Sequence, residues 1–474
     1  MSMDDGRSGD IVRRKLSQEE LSGILRAHDA FLGGRRNGSR AILRFCDMSH
    51  LDLSGHDLSE AEMTGAKLYG ARMQGTKLLR SVLYSVDFRL ANLQGADLSM
   101  ADMRGACLRG AVLTGARMIE TDLRDGVIVT PGDDGELKPF SFDVSLTELT
   151  CAKVDNVNLT RAKLANAFVM QTDLTDSILK DARLIRTNLA NSDLTGCDLE
   201  GADLTDANLS GAVLHGADLT GTRMYRTNLQ NADLSGAIYE TTDLANANLT
   251  DARVSRSAAT LRLPMEEVLQ LHAQWVDSNG KTGERADLSE IDVHDFDFSG
   301  RNLSASILRC TGLRSANLQR SSLAMADLSL ADLRGADLTL ADLRGANLQR
   351  ASLNGATMGR AVLSPLHING GGAFIWQVNL ARARMERVQL TEADLEGAQM
   401  PNANLRRASL RGSSIRVANL SGANLSFADL RDTDMSDADL TDADLTGANF
   451  TGARLSGVGL DRAITERTVG LKPG

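Results

Sequence analysis

The sequence predicts an all-β protein built as a β-helix, in which short strand segments and corners alternate along the chain. Three observations predict this fold. An apolar residue recurs every five positions through most of the 474 residues, a small residue stands two positions before it, and aromatic residues make up only 4% of the chain. Cores of ordinary domains draw on aromatic side chains for much of their buried area. A chain that lacks them must bury many small, similar units instead.

The fivefold period is clearest between Leu93 and Met118, where Leu or Met occupies every fifth position and Ala stands two residues earlier. A period of five is neither helical nor the alternation of a simple strand. The backbone must therefore turn a corner every five residues, and we expect the central Leu and the preceding Ala to point inward. The other three positions carry mainly Asp or Asn, Ser, Thr or Arg, and Gly. These residue types favour turns and surfaces.

The repeated unit A-(D/N)-L-x-x resembles the motif of the pentapeptide repeat family. Ala202–Leu204, Ala331–Leu333 and Ala443–Leu445 match that motif directly. About 70 tandem copies cover about three quarters of the chain, which is the signature of a solenoid. The resemblance implies a right-handed quadrilateral β-helix with four repeats, or twenty residues, in each coil.

Two segments with helical spacing interrupt the repeats, so we expect two tandem rods, each with an N-terminal capping helix. The predicted parts are a tail and capping helix over 1–40, a first β-helix over 41–255, a linker and second capping helix over 256–285, and a second β-helix over 286–474. An uncapped β-helix end exposes apolar side chains and open backbone groups, which an amphipathic helix can cover.

The two helical segments share a sequence pattern. Ser17 and Glu20 predict a capping box at the start of the first helix, whereas Pro264 suits the start of the second. Each helix contains a His-x-x-aromatic unit and is followed by a Gly-containing turn and then Arg-Ala, at Arg40–Ala41 and at Arg285–Ala286. We interpret this pattern as an internal duplication.

Each predicted rod contains one further break. The break over 124–148 predicts a β-hairpin, with strands at Val127–Thr130 and Glu136–Phe140 on either side of a Pro- and Gly-containing turn. The break over 364–379 predicts an inserted loop with three consecutive glycines. Loops on a rigid scaffold often hold function, and a tolerated insertion is the alternative.

No pattern of catalytic, cofactor-binding or metal-binding residues is evident, so we expect a non-enzymatic protein without a cofactor. The seven histidines are scattered, and the five cysteines lie far apart without a CxxC pair. A net charge of −10 argues against direct nucleic-acid binding, which needs a basic face. The N-terminal residues lack the apolar core of a secretory signal, and no apolar run is long enough for a membrane span. These features predict a cytoplasmic protein.

The leading functional hypothesis is a protein–protein interaction scaffold with a protein partner of unknown identity, and homodimer formation is a further option. The resemblance implies an alternative, because some pentapeptide repeat proteins that confer quinolone resistance mimic DNA and bind type II topoisomerases. Charge weighs against that alternative. Residues 149–255 hold 9 basic and 14 acidic residues over about five coils, whereas DNA of that length, ~25 Å, carries about 15 negative charges.

Candidate partner-binding residues come from three kinds of feature. The breaks contribute the first kind, an acidic pair and an aromatic pair, and outward apolar residues at predicted corners contribute the second. The third kind comes from a run of aspartates over 429–444, interrupted only by Arg431, which is the best candidate for an acidic face. The candidates are Asp133, Asp134, Leu330, Leu340, Phe374, Trp376, Asp432, Asp437 and Asp442. Four arginines on successive repeats, Arg406, Arg407, Arg411 and Arg416, suggest a basic cluster.

Overall fold

A computed structural model of the chain describes residues 13–131, 137–239, 244–368 and 374–471. Within these ranges the side chains of 127–145, 368 and 374 are not described. The α-helices of the described part are α1 (Gln18–Leu32) and α2 (Met265–Asp277), and a 3-10 helix spans Ala258–Thr260. Neither α-helix is long and apolar enough to cross a membrane.

The named strands of the described chain form four separate pairs. Two pairs are parallel and lie beside the helices, and two are antiparallel and lie at the breaks. The parallel pairs are β1 (Arg14–Lys15) with β2 (Cys46–Asp47), and β5 (Arg256–Ser257) with β6 (Ile291–Asp292). The antiparallel pairs are β3 (Gly126–Pro131) with β4 (Leu137–Ser145), and β7 (Leu366–Ile368) with β8 (Phe374–Trp376).

Single parallel bridges between successive coils build the rest of the fold. Asn92, for example, bridges to Arg72 on one side and to Val112 on the other, and a bridge of this kind recurs every fifth residue. The Leu93 N–H donates to the Val112 carbonyl at 2.7 Å. Each coil therefore has four sides and twenty residues, and the chain forms the predicted β-helix.

Most corners are β-turns with a positive φ at the third residue. The Ala96 N–H donates to the Leu93 carbonyl at 3.0 Å, and Gly95 between them has φ 65°. This geometry suits a type II turn, for which glycine is the ordinary choice. Many corners instead use another residue, such as Leu90 with φ 58°. A non-glycine residue in this conformation costs about 1–2 kcal/mol, so packing within the coil must stabilise these corners.

The core consists of the small and large inward residues of each repeat, as predicted. Ala91 and Leu93 are both completely buried, and most inward residues along both stacks are buried too, whereas those of the last coil, such as Leu455 and Leu460, are only partly buried. Where Thr replaces Ala, its hydroxyl stays buried, and in several repeats it donates to a carbonyl of the preceding coil. Thr76 Oγ1 donates to the Leu53 carbonyl at 2.9 Å, and Thr187 Oγ1 to the Leu164 carbonyl at 2.7 Å. Buried hydroxyls thereby add bonds between coils.

The outward Asp or Asn before each core Leu organises the corner that follows. Asp97 Oδ1 accepts from the Ser99 N–H at 3.0 Å, and Asn158 Oδ1 accepts from the Thr160 N–H at the same distance. Side chains of this type bond to the backbone two residues later in turns. The sequence-based role of Asp and Asn in the turns is confirmed.

The coils continue across both breaks. Cys107 bridges to Glu148, and Asn347 bridges to Asn379, where the ordinary step would be twenty residues. Strands β3 and β4 pair within the first break, as the sequence predicted. The second break was expected to be a loop, but strands β7 and β8 form a short hairpin there. Its Leu-His-Ile and Phe-Ile-Trp segments contain β-branched and aromatic residues, which suit paired strands.

The described chain divides into two compact units. The first consists mainly of residues up to Arg253, and the second runs from Val254 onward and also includes Leu234–Ala237. Helix α1 belongs to the first unit and α2 to the second.

Helix α1 begins with the predicted capping box. Ser17 Oγ accepts from the Glu20 N–H, and the Glu20 carboxylate accepts from the Ser17 N–H. Leu21, Leu25 and His28 are buried. Phe31, the aromatic residue of the His-x-x-aromatic unit, is partly exposed, because the helix ends one residue later at Leu32.

Candidate interaction surfaces

One side of the second unit carries no charge through four successive coils. We name it the neutral side and define it by the outward residues before and after the core residues Leu348, Leu380, Met400 and Leu420. Asp327 and Asp439 stand at its two ends. All eight defining residues lie in the described chain, and none is ionisable. They are Asn347, Gln349, Asn379, Ala381, Gln399, Pro401, Asn419 and Ser421.

Side-chain amides form a ladder along the neutral side. Asn347 Nδ2 donates to Asp327 Oδ1 at 3.0 Å, and Asn379 Nδ2 donates to Asn347 Oδ1 at 3.2 Å. Asn419 Nδ2 donates to Gln399 Oε1 at 3.3 Å. These bonds hold the amides in line with the coils. The result is a regular polar surface without net charge.

An apolar ridge borders the neutral side at one corner. We define the ridge as Met325, Pro365, Leu366, Ile375, Trp376 and Val417. Met325, Pro365 and Val417 occupy the same corner in different coils, and the β7–β8 hairpin supplies the other three. Ile375 is 55% exposed, Trp376 47% and Val417 53%.

Two buried glycines allow the hairpin to lie against this corner. A β-carbon on Gly345 would lie 3.2 Å from Trp376 Cβ, 3.6 Å from Leu366 Cβ and 3.6 Å from Met325 Cγ. A β-carbon on Gly397 would lie 3.1 Å from Pro365 Cγ. Both glycines have positive φ. The small corner residues thus let residues that are far apart in sequence, Met325 and Trp376 among them, join one apolar surface.

The other three sides of the second unit carry charges of both signs. One carries Asp332, Arg334 and Glu386, the next Asp337, Arg411 and Arg431, and the last Asp342, Arg344 and Asp394, with further charged residues in other coils. Arg344 pairs with Asp342 at 2.7 Å. The neutral side therefore differs from its three neighbours in the same stack.

The aspartate run over 429–444 does not form one acidic face, so this prediction was wrong. Asp429, Asp434, Asp439 and Asp444 each bridge to a different column of residues, which places them on the four sides of one coil. A face along the stack joins residues twenty apart, whereas this run follows the chain around the coil. Sequence neighbours in this fold are separated by corners.

Arginines also pair with several aspartates of this run. Asp429 contacts Arg431 at 2.6 Å, Asp432 contacts Arg411 at 3.4 Å, and Asp434 contacts Arg454 at 3.5 Å. Asp442 contacts Arg462 at 2.5 Å. The hydrogen bond from Arg431 lowers the pKa of Asp429, and that from Arg462 lowers the pKa of Asp442. Asp437 is exposed at a corner.

The predicted basic cluster is likewise spread around the coil. Arg406 and Arg407 lie on one side and its corner, Arg411 lies on the next side, and Arg416 on the one after. Arg406 pairs with Glu386 at 3.4 Å.

The two candidate leucines have different environments. Leu340 is 44% exposed, as expected for an outward corner residue. Leu330 is only 6% exposed, so the expectation that it is exposed was wrong. Cys310, at the same corner one coil earlier, is also buried. Gly236 packs against it, because a β-carbon added to Gly236 would lie 2.7 Å from Cys310 Cβ. The chain itself covers this part of the corner.

The candidates in the breaks are only partly described. Asp133 and Asp134 lie outside the described residues. Phe374 begins strand β8, but its side chain is not described. Trp376 is exposed and belongs to the apolar ridge. The structure thus joins Trp376 to Met325, which the sequence marks as an outward apolar corner residue, and to other residues that the sequence interpretation did not single out.

The concave sites of the described chain include a cavity and a groove. A cavity of about 630 Å³ lies beside α2, lined by Leu261, Leu263 and Val268 together with arginines and acidic residues. A groove of about 840 Å³ in the first unit contains Glu120 and Arg161, which pair at 2.6 Å. No cluster of three or more His, Cys, Asp or Glu residues that could hold a metal ion occurs among the described residues.

The acidic residues along that groove are held by neighbouring cations. Burial would raise the pKa of Asp122, but hydrogen bonds from the Arg124 side chain and backbone outweigh it and lower the pKa. Arg124 contacts Asp122 at 2.7 Å. Carboxylates whose pKa is lowered in this way stay ionised and serve as partners in ion pairs.

The sequence interpretation missed the neutral side and the ridge. Uncharged residues recur at positions that stack on one another in successive coils. Which positions stack depends on the twenty-residue coil and on the longer steps across the breaks. Asn188, Asn208, Asn228 and Asn248 show the same signal in the first unit, where their amides form a similar ladder at 3.1–3.2 Å.

Comparison with known proteins identifies the repeats. The family model described as pentapeptide repeats matches eight copies that together span more than half of the chain. The chain belongs to the pentapeptide repeat family. The matched residues are 41–78, 87–125, 152–191, 187–226, 222–257, 326–364, 376–416 and 418–457.

Solved structures of pentapeptide repeat proteins resemble parts of the chain. HetL, described as involved in heterocyst differentiation regulation in the cyanobacterium Nostoc sp. strain PCC 7120, is 26% identical, with 50% of this chain and 94% of HetL covered and a TM-score of 0.25. QnrB1, a plasmid-mediated fluoroquinolone resistance protein, is 20% identical, with 43% and 94% covered and a TM-score of 0.22. Rfr23 from the cyanobacterium Cyanothece 51142 is 26% identical, with 31% and 90% covered and a TM-score of 0.16. The comparison with curated proteins found no significant match to the chain.

Proposed function

We propose that this pentapeptide repeat protein is a non-enzymatic protein–protein interaction scaffold. The observation that carries the proposal is the apolar ridge beside the neutral side. Interface cores are depleted of charge and enriched in aromatic residues, and Trp is a frequent hot-spot residue. Exposed Trp376, Ile375 and Val417 beside an uncharged amide ladder have this composition. The closely bonded coils beneath them provide a rigid support.

We also propose that the fold consists of two right-handed four-sided rods, each capped by its own helix. The support is a contact that both helices make. His28 Nδ1 accepts from the Ala41 N–H at 3.1 Å, and His272 Nδ1 accepts from the Ala286 N–H at 3.1 Å. Ala41 and Ala286 begin the first coil of each unit, so each helix is bonded to the end that it would cover.

The role of the carboxylates supports a binding function over catalysis. They bond to the backbone two residues later or pair with arginines, as Asp332 does with Arg334 at 2.8 Å. Such carboxylates stabilise corners. Catalytic carboxylates, by contrast, usually have pKa values raised toward neutral pH.

The topoisomerase alternative is less well supported. Its best candidate surface, the aspartate run, surrounds one coil and is paired with arginines. A DNA mimic needs a continuous negative face along the stack. The likeness of this chain to QnrB1 covers 43% of the chain at 20% identity.

A pull-down from the native cells tests the scaffold proposal. Full-length protein should capture at least one specific protein, and Trp376→Glu should lose it while Phe427→Glu retains it. Phe427 is 50% exposed on another corner and serves as the matched control. Capture of no protein by the full-length chain would contradict the scaffold. A parallel supercoiling assay should show no effect on a type II topoisomerase at micromolar protein.

A further inference from the structure

The neutral side and the apolar ridge together form a surface that continues along the stack. Amide side chains line this surface from Asn347 to Asn419, bonded as Asn347–Asn379 and Gln399–Asn419, and the ridge runs along its border from Met325 to Val417. With coils about 4.8 Å apart, the five coils from Met325 to Val417 span ~19 Å between their first and last corner. The surface belongs entirely to the second unit.

Charge decides which occupant suits this surface. A strongly charged partner would lose water from its charges and find only amides and apolar groups in return, which is unfavourable. The suitable partner must itself be uncharged and flat. A second copy of this chain presents such a surface, the neutral side and ridge themselves. Two copies that carry −10 each would approach through this side without placing like charges at the centre of the contact.

Symmetry favours the same pairing. Dimers with a two-fold axis use the same patch on both subunits, so the patch must be self-complementary. An uncharged patch is self-complementary in charge however the two copies are shifted along each other. Amide groups also meet it for hydrogen bonding, because each carries both a donor and an acceptor.

Area limits the strength of such a dimer. A side of one coil spans about three extended residues, or ~10 Å, so the neutral side is a plane of roughly 20 by 10 Å. Standard interfaces bury about 800 Å² on each partner. The plane alone is too small, and the exposed Ile375, Trp376 and Val417 side chains must join the contact. The expected affinity is therefore at the weak end, with a dissociation constant of the order of micromolar.

We infer that the neutral side and the apolar ridge are the interface of a homodimer, in which two copies of the second unit pack side against side. The inference rests on the proposed scaffold function only in assigning this surface to protein binding. A second copy and the partner protein would compete for the ridge, so the pull-down tests the scaffold and sedimentation tests the second copy as a separate occupant.

Sedimentation equilibrium of the full-length chain from about 1 to 100 μM tests the inference. The wild-type chain should form dimers. Trp376→Glu and, separately, Val417→Glu should weaken the dimer at least tenfold, whereas Phe427→Glu should leave it unchanged. Val417 lies on a coil corner and not on the hairpin, so its variant tests the interface even if the hairpin is disturbed. Thermal unfolding of each variant checks that it folds.

Salt provides a readout that mere structural damage would not produce. Because the proposed interface is uncharged, wild-type dimerisation should change less than twofold between about 0.05 and 0.5 M salt. The double variant Gln349→Glu/Gln399→Glu places like charges across the interface. It should be monomeric at low salt and partly dimeric at high salt. A monomeric wild-type chain would overturn the inference, as would a dimer that persists in both ridge variants or dissociates with salt.

Discussion

The two N-terminal helices make the same contact in different surroundings. Both bury a histidine whose Nδ1 accepts the N–H of the first coil's alanine, and both stack that ring on an aromatic residue one turn later, Phe31 or Trp275. In the first unit His28 Nε2 also bonds to the Ser59 carbonyl at 3.0 Å. In the second unit His272 Nε2 faces the backbone of Leu303 and Ser304 but makes no hydrogen bond.

The starts of the helices differ more. Helix α1 follows strand β1 after two residues and has a capping box, whereas α2 follows β5 after residues 258–264 and begins at Pro264 without a side-chain cap. Residues of this longer connection, Leu261 and Leu263 among them, line the 630 Å³ cavity. The histidine contact is thus common to both units, while the connection and the cap vary. This comparison indicates that attachment to the first coil is the shared role.

Removal of the histidines should have the largest effect. His28→Ala removes two hydrogen bonds and leaves the buried Ala41 N–H without an acceptor, so we expect a loss of about 3 kcal/mol in the free energy of local opening. His272→Ala removes one bond and should cost about 2 kcal/mol. Hydrogen exchange of peptides that contain Ala41 or Ala286 measures both losses. Equal exchange in variant and wild type would contradict the shared role.

The leucines of the two connections should differ next. Leu16 is buried between β1 and α1, whereas Leu261 is only partly buried beside the cavity. Leu16→Ala should cost about 2–3 kcal/mol and Leu261→Ala about 1 kcal/mol, in proportion to the apolar area that each loses. Denaturant unfolding of the two variants measures the difference. A larger loss for Leu261→Ala would show that the cavity wall is packed more tightly than its exposure indicates.

Loss of the α1 cap should have a smaller effect. Ser17→Ala removes the side-chain acceptor for the Glu20 N–H and should cost about 1 kcal/mol. Ser257 caps the exposed 3-10 helix before α2. The substitution Ser257→Ala should lower the stability of that helix by less than about 0.5 kcal/mol. Hydrogen exchange at the N-terminal turn of each helix checks this order. Equal losses would show that the capping box adds nothing beyond a single bond.

The pH dependence of the second unit should be the smallest effect. Burial, together with the charge of Arg285, lowers the pKa of His272. The unfolded chain then binds a proton more readily than the folded one. The histidine's contribution to stability is therefore fully present above the ordinary His pKa of about 6.5 and is lost as the pH falls below it.

Hydrogen exchange around Ala286 at pH 7.5 and 5.0, corrected for the intrinsic exchange rates, measures this loss. The neutral variant His272→Gln should show a weaker pH dependence than the wild-type chain. An unchanged pH dependence in that variant would assign the effect to other groups.

Local features were predictable from the sequence because they depend on neighbours in the chain. Ser17 and Glu20 are three residues apart, and their capping box was predicted and is observed. The burial of Ala91 and Leu93 follows from the fivefold period. Surface assignments failed where they assumed that sequence neighbours share a face. Asp432, Asp437 and Asp442 are five residues apart, and each lies at a different corner.

The sequence by itself determined the repeat, the β-helix, the inward residues and the cap of α1, because the fivefold period specifies which side chains leave water. Only the tertiary structure decided which outward residues share a side. Hydrogen bonds join each residue to the one twenty positions away, and across the breaks they join Cys107 to Glu148 and Asn347 to Asn379. Those longer steps depend on how each hairpin returns to the stack. The neutral side exists only after the coils have closed and stacked.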